Sequence, residues 1–414
     1  MTPTKSAKPK KVTASVRAKT RPAPEKPTAP PANRVAPARA TAAKARSAGG
    51  PDVLSARALN RATLARQMLL RRETLKPRVA IERLLCLQAQ IARPPFLALW
   101  SRLDPFRRED LIAPIDKREL VRSTMMRATI HLMARQDYLA FRPVIQPMLS
   151  AGVERIFGDL EKYDTAKIVA AARACFDANP CNFAELRNHL LKQFPKLDER
   201  GMGYIVRMHL PLILMPQAGT DWAWPAQANF VVAESWLGEP VQTDAAAHAL
   251  ALRYLAAFGP ASVQDFQNWT GLGAMKTLFD ELRPKLRTFR DERGRELFDL
   301  PNAPRPSADE EAPVRFLPEY DHVLLGYAER TRIVADAHRP ALQTKNLIVP
   351  AIFLVDGFIA GLWTVDTKKG VARLLVKPLI TLSKPVKVAL TDEGARLLKF
   401  VEPGAKSHVV DFER

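Results

Sequence analysis

Cysteine is scarce in this chain. Cys86, Cys175 and Cys181 are the three in 414 residues, an odd number in apolar or mixed surroundings. That argues against a disulfide-stapled scaffold, and no Cys-x-x-Cys or Cys/His ligand spacing offers a metal site, so reduced thiols in a cytoplasmic protein are expected. Membrane-spanning apolar runs are also missing, because Asp356 and Gly357 interrupt residues 351–363. Common catalytic signatures are absent too: there is no Walker A loop, no Gly-x-Ser-x-Gly and no His-Glu-x-x-His. Gly271-Leu272-Gly273 lacks the third glycine of a dinucleotide fingerprint and precedes a helix with no strand before it, so it reads as the turn between two helices.

The first fifty residues are poor in acids and in large apolar side chains. They hold twelve Lys/Arg against the single acid Glu25, so +11 of the net +20 lies there. Such a segment cannot bury enough surface to offset its ordering entropy and is expected to be a disordered basic tail. A basic arm attracts polyanions, nucleic acid first among them, although a tail that only solubilises fits the same composition. No apolar stretch in it suits a secretory signal core.

From residue 54 onward, elements recur in a pattern. Leu59, Ala62, Leu64, Met68 and Leu69 keep helical spacing behind a capping Ser55, and Pro77 opens a second helix expected to run to about Gln88. Two short helices and an extended stretch over residues 120–132 complete a helices-then-strands unit. A second such unit ends in extended stretches at 212–215 and 222–230. The third is clearest: helix 245–258, helix 262–269, the Gly271 turn, helix 274–286, and a hairpin around Arg293-Gly294. Helix, turn, helix and wing is a DNA-binding arrangement. Beyond Pro301 a linker rich in proline and acid leads to short β-prone runs, with Asp356-Gly357 a strong hairpin signal. The expected organisation is therefore α+β: tail 1–50, three tandem winged-helix domains at 51–155, 156–240 and 241–302, and a small C-terminal β-rich domain, barrel-like, at 303–414 with a helix near 392–400.

Three places carry candidate chemistry. Gln88-Ala89-Gln90 sets two uncharged amides either side of a small residue, just before Arg93-Pro94. An amide cannot take a proton as a carboxylate does, yet it accepts and donates together and so holds a water or a polar ligand; alone, such a pair is equally well a structural feature. On a regular helix these two side chains would point about 200° apart, so they meet only if the helix has ended. In residues 127–132 the polar positions alternate, placing Arg127, Thr129 and His131 on one strand face. That face is either solvated or a floor for a nucleic-acid backbone, with Arg127 on phosphate. Asp321 reads as a turn residue making an Asx bond, with His322 beside it as a general base lacking a second group. Trp100 and Trp363 read as core.

Taken in order, residues 59–67, Leu87-Gln88-Ala89-Gln90, Leu99-Trp100-Ser101-Arg102-Leu103, Arg127-Ala128-Thr129-Ile130-His131-Leu132, Leu317-Pro318-Glu319-Tyr320-Asp321 and residues 355–361 resemble the AlkZ/YcaQ-like winged-helix DNA glycosylases. The resemblance implies a clamp on double-stranded DNA and excision of cationic N-alkylated purines (N7-alkylguanine, N3-alkyladenine). It also implies a Gln-hydrophobic-Gln catalytic centre at Gln88 and Gln90, the form associated with unhooking interstrand crosslinks. Arg127, Thr129, His131 and Arg93 are then expected to contact DNA, with no metal or cofactor, no membrane, a monomeric state, and a place in the cytoplasm against the nucleoid. A non-catalytic winged-helix DNA-binding protein or regulator is the alternative.

Overall fold

The computed structural model describes residues 52–158, 162–243, 246–344 and 348–413; the expected basic tail lies outside the described residues. The first helix, Ala56–Arg66, starts where Ser55 Oγ accepts from the Ala58 amide at 3.1 Å. Its apolar stripe is as read, but Asn60, Arg61, Thr63 and Arg66 are buried as well. These polar groups find distant partners: Arg66 pairs with Asp299 at 2.7 Å, and Asn60 donates to the Arg332 and Gly357 carbonyls at 2.8 Å. Burying such groups is tolerated only because each is paired.

Asp356 and Gly357 form the expected two-residue turn, with φ of 48° and 80°, between strands Ile352–Val355 and Phe358–Lys368. Asp356 also pairs with Arg61 and Arg57. A Cβ on Gly357 would come within 2.5 Å of Asn60 Oδ1 and Leu64 Cδ1, so this turn needs glycine for its φ and for the close approach of the first helix.

The helix Pro77–Leu84 ends four residues earlier than expected, at Leu85 with φ of +70°. Strand Leu87–Gln88 follows and joins a five-stranded antiparallel sheet in the order Leu87–Gln88, Ile130–Ala134, Leu120–Thr124, Leu212–Leu214, Phe230–Val232. Residues 120–132 are thus a hairpin, not one extended run. Further along, helices Ala247–Phe258, Val263–Thr270 and Lys276–Leu282 precede the hairpin Arg287–Asp291/Glu296–Asp299, to which Val53–Leu54 adds a parallel strand. Gly271, at φ +84°, caps the middle helix.

The C-terminal sheet corrects the barrel expectation. Its order is Ser407–Phe412, Val371–Pro378, Phe358–Lys368, Ile352–Val355, Arg315–Leu317, and the two end strands are not paired with each other. Closure requires that pairing. Instead, helix Lys384–Val401, longer than the expected 392–400, buries Leu390, Leu397 and Leu398, and Gly394 lies against Leu374 and Val410 of the sheet. A sheet covered by a helix has no need to curl onto itself. The fold is therefore mixed α+β with an open C-terminal sheet. Among the described residues no helix is long and apolar enough to cross a membrane.

Candidate active site

Because the helix stops at Leu84, Gln88 lies on strand Leu87–Gln88 and Gln90 in the bend two residues beyond it, free of the helical geometry that would set their side chains about 200° apart. The backbone is pinned there: Ala89 N–H donates to the Ile130 carbonyl at 2.7 Å, and Arg122 donates to the Ala89 and Gln90 carbonyls at 2.9 and 3.3 Å. Both amide oxygens are held from one turn. Gln88 Oε1 accepts from Arg127 Nη2 at 2.8 Å, and Gln90 Oε1 accepts from the Ile130 amide at 3.2 Å. Gln88 is 7% exposed and Gln90 is exposed. Each oxygen keeps a second lone pair, and neither amide nitrogen has a protein partner among the described residues.

Arg127 is not on a strand face. It lies in the 3-10 turn Met126–Ala128 with φ of 54°, followed by Ala128 at 58°, and the strand begins only at Ile130. Two successive non-glycine residues in the left-handed region cost about 1 kcal/mol or more each. The turn aims the guanidinium inward, where it donates to the Trp269 carbonyl and to Gln88. Burial lowers its pKa to about 10. Gly271 permits this: a Cβ there would approach Arg127 Cα to 3.3 Å. Arg127 therefore ties Gln88 to the end of helix Val263–Thr270, a link that periodicity alone could not reveal.

The other anticipated contacts are placed differently. Thr129 donates its hydroxyl to the Met126 carbonyl at 3.0 Å, and Arg93 pairs with Glu319 at 2.8 Å. His131 is fully buried, its Nδ1 3.0 Å from the Thr129 carbonyl, and its ring faces inward 5.9 Å from His322. Arg127, Thr129 and His131 thus do not form a shared open face. Asp321 accepts from the Val323 amide at 3.0 Å, the Asx role read from sequence, and also from both ends of buried Arg102 at 2.9 Å. Trp100 and Trp363 are core.

His322 is 1% exposed, and its Nε2 accepts the Gln88 backbone N–H at 3.0 Å. That bond assigns the ring proton to Nδ1, just as the Thr129 carbonyl assigns the His131 proton to Nδ1. His131, His322 and Cys86 bring possible ligand atoms within 4.8 Å of one another, although far apart in sequence. With Nε2 engaged and Nδ1 protonated, His322 has no lone pair for a cation. Burial and the nearby Arg127 charge hold both imidazoles well below the usual histidine range, and burial raises the Cys86 thiol. The group is a neutral polar core behind Gln88, unsuited to a metal ion.

The unfolded chain takes up protons at His131 and His322 near pH 6.5, whereas the folded chain does so only at lower pH. Stability is thus fully present above pH 6.5 and is lost as pH falls below it, by about 1.4 kcal/mol per pH unit for each group. Urea unfolding at pH 7.5 and 5.5 checks this; His131→Asn is expected to flatten the dependence, and an unchanged slope contradicts it.

Among solved structures, Streptomyces sahachiroi DNA glycosylase AlkZ matches with a TM-score of 0.71 at 22% identity, covering 87% of this chain and 100% of that one, a likeness of fold. Among curated proteins, the interstrand DNA cross-link repair glycosylase of Streptomyces sahachiroi is 24% identical over 364 residues, covering 80% of this chain and 94% of that protein. The sequence model of the family described as "DNA glycosylase AlkZ-like" matches residues 81–400, a span that holds every site residue named above, and the chain belongs to that family.

Proposed function

We propose that this DNA glycosylase excises cationic N-alkylated purines, N7-alkylguanine and N3-alkyladenine, from double-stranded DNA. The observation that carries the reading is the pair of amides, Gln88 on its strand and Gln90 in the bend after it, with one oxygen held by Arg127 and the other by the Ile130 amide. Alkylation at a ring nitrogen makes the base a cation, so it leaves without a general acid. The C1′–N bond breaks, the electron pair goes to the base, and the sugar becomes oxocarbenium-like. Water then adds at C1′ and loses a proton to solvent. The remaining lone pairs of the two amide oxygens accept from that water and face the developing positive charge, a preorganised arrangement that costs no reorientation during reaction.

No carboxylate is a hydrogen-bond partner of Gln88 or Gln90 among the described residues, which suits a substrate that supplies its own activation. The name of the Streptomyces relative, an interstrand DNA cross-link repair glycosylase, supports crosslinks as a second substrate. The enzyme acts as a monomer, without metal or cofactor, on DNA in the cytoplasm. The test is a panel of defined duplexes carrying 7-methylguanine, 3-methyladenine, a neutral lesion or a nitrogen-mustard-type crosslink. Release of the cationic bases and of the crosslink, with the neutral lesion untouched, is expected; release of the neutral base alone contradicts the reading.

Arg127 acts through Gln88. Arg127→Lys keeps a charge but cannot reach both acceptors with one planar fork. We expect single-turnover release to slow about ten- to a hundredfold with duplex affinity changed little. A loss of affinity with an unaltered rate would assign Arg127 to phosphate binding instead.

A further inference from the structure

A cavity of about 320 Å³ opens beside Gln90, between the start of helix Phe183–Gln193, helix Glu199–His209 and the loop at 225–228. Arg122, Arg187 and Arg207 line it, and no carboxylate does. None of the three forms an ion pair among the described residues, unlike nearby Arg173, which pairs with Glu234 at 3.0 Å. Like charges gathered without a counter-ion are held there at a cost.

Their hydrogen bonding is incomplete as well. Arg122 spends Nε and one terminal nitrogen on the Ala89 and Gln90 carbonyls, leaving Nη1. Among the described residues Arg187 spends only Nε, on the Phe183 carbonyl at 3.1 Å. Arg207 has no hydrogen-bond partner among the described residues; its guanidinium stacks 4.3 Å over the Phe183 ring. Stacking fixes the plane while leaving the N–H edge open, the arrangement that grips a tetrahedral anion with two parallel bonds. Burial and the neighbouring Arg187 charge lower the pKa of Arg207, which an arriving anion would reverse.

We propose that this cavity is a phosphodiester subsite, in which Arg207 and Arg187 hold a backbone phosphate next to the reacting nucleotide and so set its sugar against Gln90. The inference rests on the glycosylase reading and deepens it. Arg122 links the two, since the same guanidinium that lines the cavity holds the carbonyls of the Gln88–Gln90 segment.

The test uses the full-length protein and duplexes with one 7-methylguanine and a single neutral methylphosphonate placed at each phosphate around it in turn. The wild-type protein is expected to lose about ten- to a hundredfold in affinity at one position. Arg207→Gln is expected to lose as much on unmodified DNA, to show no further loss at that position, and to lower the salt slope by about one. Arg187→Gln, whose side chain is half-exposed, repeats the test if Arg207→Gln fails to fold by circular dichroism. Equal methylphosphonate losses in wild type and variants overturn the proposal. So does inorganic phosphate protecting the site in an Arg207-dependent way without any methylphosphonate coupling, which would assign a small-anion site. Base release is measured in parallel: coupling absent with release intact removes only the subsite, whereas no release from any lesion removes the glycosylase reading.

Discussion

Replacing Gln90 by alanine is expected to slow base release about a hundred- to a thousandfold, with the fold and duplex affinity kept. Its side chain is exposed, and among the described residues that side chain's one hydrogen bond is from the Ile130 amide at 3.2 Å, so little of the fold depends on it. Gln88→Ala is expected to lose as much rate and also about 1–3 kcal/mol of stability, because its oxygen is a partner of half-buried Arg127, whose inward-facing donor would be left unpaired. Single-turnover release at saturating enzyme and urea unfolding separate the two effects. A Gln90→Ala protein that releases base at the wild-type rate would return this amide to a structural role.

Asp321→Ala should be the most destabilising single change near the site, by about 3–5 kcal/mol. Arg102 and Asp321 are both buried and meet through two bonds of 2.9 Å, so removing the carboxylate strands a guanidinium in the core. The same carboxylate caps the short helix that begins at His322, and His322 in turn receives the Gln88 amide, so the change loosens the Gln88 segment from behind. Denaturant unfolding measures the loss. If stability is unchanged while release stops, Asp321 belongs to the chemistry and the account of this pair is wrong.

Local signals are most legible where one residue type settles the backbone. Asp356-Gly357 demanded a tight turn, Ser55 a helix start and Gly271 a helix end, and each is there. The Gln pair is legible as a motif, and the helix that would splay its side chains ends before it, at Leu85, whose positive φ no propensity announces. The alternation of Arg127, Thr129 and His131 misled, because a hairpin turn with two positive φ values at Arg127 and Ala128 imitates period two while pointing the first side chain inward. A pair without glycine or asparagine gives no turn signal. The buried ion pairs, Arg102 with Asp321 and Arg66 with Asp299, join residues more than two hundred positions apart, beyond the reach of any periodicity. The unneutralised arginines at 187 and 207 looked in sequence like ordinary helix-surface charges; only the fold, by placing them together beside Gln90, marks them out.

The most direct measurement is single-turnover release of free 7-methylguanine from a methylated duplex by the wild-type protein and by the Gln88→Ala, Gln90→Ala double variant, with duplex affinity measured alongside. The wild type is expected to liberate the intact base and leave an abasic site, while the double variant binds the same duplex and releases almost nothing. Release by the double variant at the wild-type rate would contradict it.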